Sequence, residues 1–336
     1  MITAPRELRA SLPAELRGLR RDGARLCVVE RSAGRITHTT VARIGEHLTS
    51  GDVLVVNSSR TLPAALVVER EPGQRVQLRP GALRDGEWDA LAVEPTPPHR
   101  NVALQPGERL VARDGLRMRV MAPRADAPLL WRMVVEHGDP LTTLLRHGEP
   151  IRYSYVPQPV PLEHYQTVYG GIPGSVETPS AGRHLTWELL GELRRRGIDV
   201  TDIVLHCGLS SFQDDDVDLT KPLIEEWCSI GSHTAERVNR AARVVAVGTS
   251  VIRTLETAAA GPRHVRPMSG WTDLVITPRT RLRVVDALLT GLHEPPATHL
   301  DMLGALLDAS LLERAYREVR EHRYLWHEFG DAMLIL

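Results

Sequence analysis

The sequence predicts an α/β fold: a mainly parallel α/β domain interrupted by a small inserted antiparallel β-barrel. Three observations carry this. Helical and strand-like segments alternate from about residue 187 onward. Short β-rich runs recur between turn dipeptides from residue 65 to 135. Two apolar β runs precede that stretch, so both ends of the chain supply the α/β part. The expected boundaries are 1–62 with 148–336 for the α/β domain and 63–147 for the barrel.

In chain order, the N-terminal stretch reads as a short helical segment. The runs Arg25-Leu26-Cys27-Val28-Val29-Glu30 and Asp52-Val53-Leu54-Val55-Val56-Asn57 then read as strands. The barrel strands are expected at 66–68, 76–78, 88–93, 110–111, 116–121 and 129–135, because β-rich triplets and longer runs there are parted by Pro-Gly and Asp-Gly pairs. Beyond a Pro-rich passage at 150–161, the pattern predicts a helix over 187–196, a strand over 200–206, a helix over 230–241, a strand over 243–247 and a helix over 251–259. The aromatic C-terminal segment is expected to dock into the sheet as a strand. Arg194-Arg195-Arg196 falls where a helix end favours cations, and Asp214-Asp215-Asp216 reads as a solvated loop.

Composition narrows the function. With 336 residues, 42% hydrophobic, the chain buries enough apolar surface to need neither disulfides nor a structural metal. Cys27, Cys207 and Cys228 lack paired spacing, which points to a reducing compartment, and no metal is expected. No signal-peptide core or spanning apolar run is visible, so a cytoplasmic protein without a membrane partner is expected. With 41 basic against 42 acidic residues, global charge gives no pull toward nucleic acid, and any such contact needs a local patch. Lys221 is the only lysine, which excludes a P-loop or Schiff-base lysine elsewhere, and 2 Phe argue against a base-stacking platform.

Several strings can carry chemistry. Small residues and prolines at 174–186 allow a ligand close approach to backbone ahead of a helix, with His184 and Thr186 projecting polar groups; the plainer reading is a helix capped by Thr186. His206 ends a buried-looking strand and is followed by Cys207 and Gly208, at the sheet edge where α/β folds place ligands. It is a candidate base, or else a core histidine satisfied by backbone. The strand at 243–247, the turn Gly248-Thr249-Ser250 and a helix bearing Arg253 and Glu256 suit a carboxylate or phosphate, or form an ordinary βα turn with a surface ion pair. His293, His299 and Asp331 lack helical metal-ligand spacing.

Together these strings resemble the S-adenosylmethionine:tRNA ribosyltransferase-isomerase family of the queuosine pathway over nearly the whole chain. The matches are Asn57-Ser58-Ser59-Arg60-Thr61-Leu62-Pro63-Ala64 (family N-D-T-R-V-I-P-A), Tyr165-Gln166-Thr167-Val168-Tyr169, and the segment 174–186 (G-S-V-A-A-P-T-A-G-L-H-F-T). Further along come Leu205-His206-Cys207-Gly208-Leu209 (L-H-V-G-L), the segment 246–256 (A-V-G-T-T-S-V-R-T-L-E), Val284-Val285-Asp286 and the segment 329–335. The resemblance implies the same α/β domain with inserted barrel.

It also implies an enzyme that uses S-adenosylmethionine as co-substrate without a metal. The ribosyl unit passes to an amine on a 7-deazaguanine base in tRNA and isomerises to an epoxycyclopentane, the epoxyqueuosine product, while adenine and methionine leave. On that reading His184 or His206 is the base and Glu226 or Asp331 the acid or ribose ligand. Arg253 with Thr249 and Ser250 takes the methionine carboxylate. Pro179, Ala181, Gly182, Thr186, Gly208, Gly248 and His293 complete the co-substrate site. Arg279, Arg281 and Arg283 offer a local basic surface for tRNA, or else a solvated strand face.

The chain departs from the family at several points. M-H-S-E becomes Leu223-Ile224-Glu225-Glu226, the segment T-N-F-H-L-P-x-S-T-L-L becomes 290–300 with Glu294-Pro295-Pro296-Ala297 inside it, I-A-Q-x-P has no counterpart, and Glu177 replaces a small residue. These departures keep open two further readings: S-adenosylmethionine chemistry with a small-molecule acceptor or none, and a non-catalytic S-adenosylmethionine-binding protein.

Overall fold

A computed structural model describes residues 5–70, 73–84, 87–209, 225–293 and 298–336. The first strands are β1 (Arg25–Glu30), β2 (Arg35–Thr40), β3 (Asp52–Asn57) and β4 (Ser59–Thr61). Six more follow: β5 (Leu66–Arg70), β6 (Gln74–Arg84), β7 (Glu87–Val93), β8 (Arg109–Ala112), β9 (Arg117–Pro123) and β10 (Leu130–His137). After α1 (Pro140–His147) come β11 (Ile172–Ser175), α2 (Trp187–Arg195), β12 (Asp199–Leu205), β13 (Glu226–Ile230), α3 (Ser232–Arg240), β14 (Arg243–Val247) and α4 (Thr249–Thr257). The chain ends with β15 (Ala259–Gly261), β16 (His264–Val265), β17 (Met268–Thr272), β18 (Ala287–Gly291), α5 (Thr298–Leu303), α6 (Ala309–Glu321) and β19 (Ala332–Ile335).

Both chain ends enter one sheet of order β17-β13-β12-β3-β14-β18-β19-β1-β2. Its centre is parallel, from β12 through β3 and β14 to β18, and β19 pairs parallel with β1. Antiparallel strands β13 and β17 close one edge and β2 the other. Strand β3 is buried at every position, as a strand covered on both faces must be. Its alternate residues serve different cores: Val53 and Val55 pack with α4 and α6, and Leu54 and Val56 pack with α2. Strands β5 to β10 close a barrel around Leu66, Leu78, Leu91, Met118 and Met133. The polar-apolar alternation of β9 fits a wall with one wet face. Where the chain leaves the barrel, α1 is capped by Asp139 and ends at Gly148, whose missing side chain would meet the Pro63 carbonyl oxygen at 1.9 Å. Chain entry and exit therefore lie against each other.

Several expectations shift in detail. The N-terminal helical segment is a series of 3-10 turns at Arg6–Leu8, Ala14–Arg17 and Arg21–Gly23, interrupted by prolines and Gly18. Residue 230 ends β13, and the following helix starts at Ser232. The helix expected from 251 starts at Thr249, because Gly248 at φ +90° turns the chain immediately after β14. The C-terminal strand is present as β19. Asp214, Asp215 and Asp216, Leu223 and Ile224 of the altered segment, and 294–297 lie outside the described residues. Among the described residues no helix is long and apolar enough to cross a membrane.

Candidate active site

Topology gathers the motifs on one sheet edge. The carboxyl ends of β3, β12, β14 and β18 and the amino end of β19 lie side by side, so Asn57, His206, Gly248, His293 and Asp331 share that edge. This is where parallel sheets hold ligands, because helices that start there present unpaired amides. Loop 174–186 runs along it. Gly174 packs under the His206 ring, where a side-chain carbon would lie 2.4 Å from two ring atoms, and Ala181 abuts Gly248. A shallow pocket of about 340 Å³ lined by Gly51, Asp199, His233 and Arg237 sits at the opposite edge and holds none of these residues.

His206 is held from three sides. Its Nδ1 lies 2.8 Å from Ser59 Oγ, its ring stacks on Trp227 at 5.2 Å, and its backbone amide donates to the Trp227 carbonyl. Ser59 Oγ is 2.6 Å from Ser175 Oγ, which accepts from the Cys207 amide at 3.0 Å. Either serine can donate. Reversing the pair switches His206 between tautomers that present Nε2 as donor or as acceptor. Burial lowers the imidazole's pKa, so it is neutral at pH 7.

Asn57 joins three elements. Its Oδ1 accepts from Leu205 and Ser59 amides at 3.0 and 3.1 Å, and its Nδ2 donates to the Leu205 carbonyl at 2.8 Å and to Ser250 Oγ at 3.3 Å. The sequence motif contained Asn57, Ser59 and Ser175, yet none of them was singled out. The signal was a polar residue ending a wholly apolar run.

Glu226 and Arg253 form a second cluster. Arg253 pairs with Glu226 Oε2 and donates to the carbonyls of Leu274 at 3.0 Å and Thr272 at 3.3 Å. Glu226 Oε1 accepts from the Gly208 amide at 2.7 Å. Arg253 thus has three donors engaged within the protein. Its helix neighbour Glu256 turns the other way and accepts from the amides of Arg283, Val284 and Val285. Gly208 approaches the barrel so closely that a side-chain carbon would lie 2.6 Å from the Gly81 carbonyl, which sits at a bulge in β6.

The remaining expected residues divide. Thr186 Oγ1 caps α2 by accepting from the Leu189 amide at 3.1 Å, and its hydroxyl donates to Asp22. Pro179 is half-buried, and the Gly182 carbonyl accepts from Tyr169. His293 stacks on His299 at 4.8 Å and contacts Thr290 Oγ1 at 3.1 Å. Asp331 is 3% exposed and saturated: its oxygens accept from the Arg25 amide, the Arg25 guanidinium and the Leu325 amide.

His184 lies at the far end of the loop from His206. It is buried beside Arg183, whose Nη2 pairs with Glu15 at 2.7 Å. Desolvation first, then the Arg183 charge, push its imidazole down to about 3, and its Nδ1 has no partner among the described residues. An imidazole that weakly basic takes a proton poorly at neutral pH.

A further acidic group lines the same loop. Glu177 accepts from Tyr153 Oη, and Tyr155 Oη donates to Glu328 Oε2 at 3.4 Å, with the two tyrosine rings parallel at 6.0 Å. Burial and the facing Glu177 charge raise Glu328 to about 8, so its carboxyl is mostly protonated at pH 7.

Comparison with known proteins finds relatives over nearly the whole chain. The model of a family described as queuosine biosynthesis protein matches residues 3–335. The chain is 38% identical to the S-adenosylmethionine:tRNA ribosyltransferase-isomerase of Symbiobacterium thermophilum, over 99% of this chain and 97% of that one. It is 38% identical to the protein of the same name from Thermus thermophilus, over 94% and 93%. The crystal structure of S-adenosylmethionine tRNA ribosyltransferase from Thermotoga maritima superposes with a TM-score of 0.55 at 28% identity, covering 99% of this chain and 98% of that one.

Proposed function

The chain belongs to the queuosine biosynthesis protein family and is an S-adenosylmethionine:tRNA ribosyltransferase-isomerase, and we propose that it acts in the cleft at the carboxyl ends of β3, β12 and β14. The observation that carries the placement is the Ser175–Ser59–His206 relay, which sets a neutral imidazole on a glycine floor beside the start of α4.

The cleft suits a sulfonium nucleoside. Gly174 seats the His206 ring and Gly248 lets Ala181 pack against the turn, while the amino end of α4 offers amides and a positive dipole end to a carboxylate. S-adenosylmethionine, when bound, supplies acidified C5′ hydrogens and a methionine leaving group. We assign proton removal to His206 Nε2, with the Nδ1 proton held by Ser59. Thr249 and Ser250 at the helix start receive the carboxylate. Arg253 acts through Glu226, which holds the Gly208 amide and so the loop after β12; both are positioning residues. Asp331 fixes the start of β1 through Arg25. His184 supports the loop from within the core. Glu328 is the protonated carboxyl of the cleft and supplies a proton to a departing base. We take 63–147 as the inserted unit that forms the opposite wall, and the exposed Arg279, Arg281 and Arg283 as a contact for tRNA phosphates.

Incubation with S-adenosylmethionine, with and without tRNA bearing the aminated 7-deazaguanine, tests this by mass spectrometry of adenine and methionine. Release that requires the tRNA is expected. Release without tRNA supports an enzyme with another acceptor or none, and no release in either arm supports a binding protein.

A further inference from the structure

Three aromatic rings form a row from the cleft to the edge of the sheet. His206 follows β12, and its amide donates to the Trp227 carbonyl on β13; Trp227 in turn stands directly opposite Trp271 in the register of β13 against β17. Residues directly opposite in antiparallel strands put their side chains on the same face. The His206 and Trp227 rings stack at 5.2 Å with 20° between planes. Along the row the surface opens to solvent: His206 and Trp227 are half-buried, and Trp271 is 40% exposed on the outermost strand.

This face is not the one that α4 covers. The neighbours Glu226, Cys228 and Thr272 point to the other side, where Glu226 pairs with Arg253 and Thr272 Oγ1 lies 2.7 Å from Thr257 Oγ1, both on α4, and Cys228 joins the core. The face turned away from α4 is that of an antiparallel pair wetted on one side. It carries two opposed pairs: Ser229 with Ser269, as a wet face does, and Trp227 with Trp271, the pair aligned with His206. A single exposed tryptophan needs no explanation. A ring row that begins at the proposed base and surfaces at the rim does. A small co-substrate is held in an enclosed cleft, whereas a tRNA stays outside and gives up one base taken out of its stack. The bases beside it are then left at the rim, where the row emerges.

We propose that Trp271, continued inward by Trp227, is the stacking surface for the unpaired tRNA nucleobase next to the one that enters the cleft. The inference rests on the placement of the reaction at His206. An indole face is a flat surface on which any base stacks, so the contact holds the strand without reading its sequence. The scarcity of Phe, which argued against a platform of this kind, is answered by tryptophan and histidine from three adjacent segments.

The test uses the full chain with an RNA stem-loop that carries the aminated 7-deazaguanine, and with a second stem-loop whose nucleotides on either side of that base are abasic. Affinity is read by fluorescence anisotropy. Trp271→Leu should weaken binding of the first RNA about 5–100-fold, the range for losing one stacked base, while Trp271→Phe stays within about 3-fold of wild type. The abasic RNA should bind wild type as weakly as the intact RNA binds Trp271→Leu, and the variant should lose nothing further on the abasic RNA, so the two changes do not add. Stacking releases no counterions, so the slope of log affinity against log salt should be the same for wild type and Trp271→Leu. The variant's S-adenosylmethionine affinity by calorimetry and its melting midpoint should match wild type; should it melt lower, the comparison of the two RNAs on wild type alone decides. Equal binding of both RNAs by wild type, additive losses, or no RNA binding at all overturns the stacking surface. A loss of S-adenosylmethionine affinity in Trp271→Leu also overturns it and assigns the ring to the co-substrate. Failure of wild type to release adenine with the intact stem-loop counts instead against the reading of the cleft, and is told apart because the binding comparison does not depend on turnover.

Discussion

At His206 the neighbours decide the chemistry: burial favours the neutral imidazole and Ser59 holds Nδ1, which leaves Nε2 as the nitrogen assigned to proton removal. Replacing it with Asn should lower kcat for adenine release about 100–1,000-fold while the S-adenosylmethionine dissociation constant stays within about 3-fold, as read by single-turnover kinetics and calorimetry. Two other groups tie stability to pH with opposite signs. His184 is depressed to about 3, so its contribution is complete above its unfolded value of about 6.5 and drains as pH falls toward 3. His184→Gln should flatten the fall in urea midpoint between pH 6.5 and 4 by up to about one proton. Glu328 is raised to about 8 from 4.5, so its contribution is complete below 4.5 and is lost as pH rises through 8. Glu328→Gln should gain stability relative to wild type at pH 8–9 and little at pH 4, measured the same way. The sequence marked both histidines as candidate bases and could not separate them. The difference is the packing of Arg183 and the N-terminal turns around one of them.

Among the elements, the loop from β11 to α2 and the joint at Asn57 do the positioning. Gly174→Ala places a carbon 2.4 Å from the His206 ring, so the ring must leave Ser59. Turnover should fall about 100-fold with a small loss of thermal stability, compared by adenine release and melting. Asn57→Ala unpairs the Leu205 amide and carbonyl between β3 and β12 and should cost about 2–4 kcal/mol in denaturant unfolding. The strands at 25–30, 52–57, 200–206 and 243–247 and the helices α2, α3 and α4 were legible because apolar runs such as 243–247 and amphipathic stretches such as 187–196 carry their own period. Strands β2, β13, β17 and β18 and helices α1, α5 and α6 were not. β2 is the polar, half-exposed run Arg35–Thr40, and β13 and β17 are short antiparallel additions whose residues alternate weakly.

The whole molecule places a barrel against one edge of a sheet, touching it where Leu209 and Gly208 meet Gly81. With a net charge of -1, tRNA must be drawn by local arginines. Changing Arg279, Arg281 and Arg283 together to Gln should reduce tRNA affinity and lower the slope of log affinity against log salt by about 2–3, read from filter binding at several salt concentrations.

From the sequence alone follow the two architectures, their order along the chain and the family, because apolar period, turn residues and motif order are local properties carried by neighbouring residues. Only the folded chain decides that Ser59, Ser175 and His206 form one relay, that Arg253 serves Glu226, and that Asp331 is held by Arg25 and the Leu325 amide. Those pairings join residues far apart in sequence, and side chains meet at hydrogen-bonding distance only once sheet register and core packing have set their backbones.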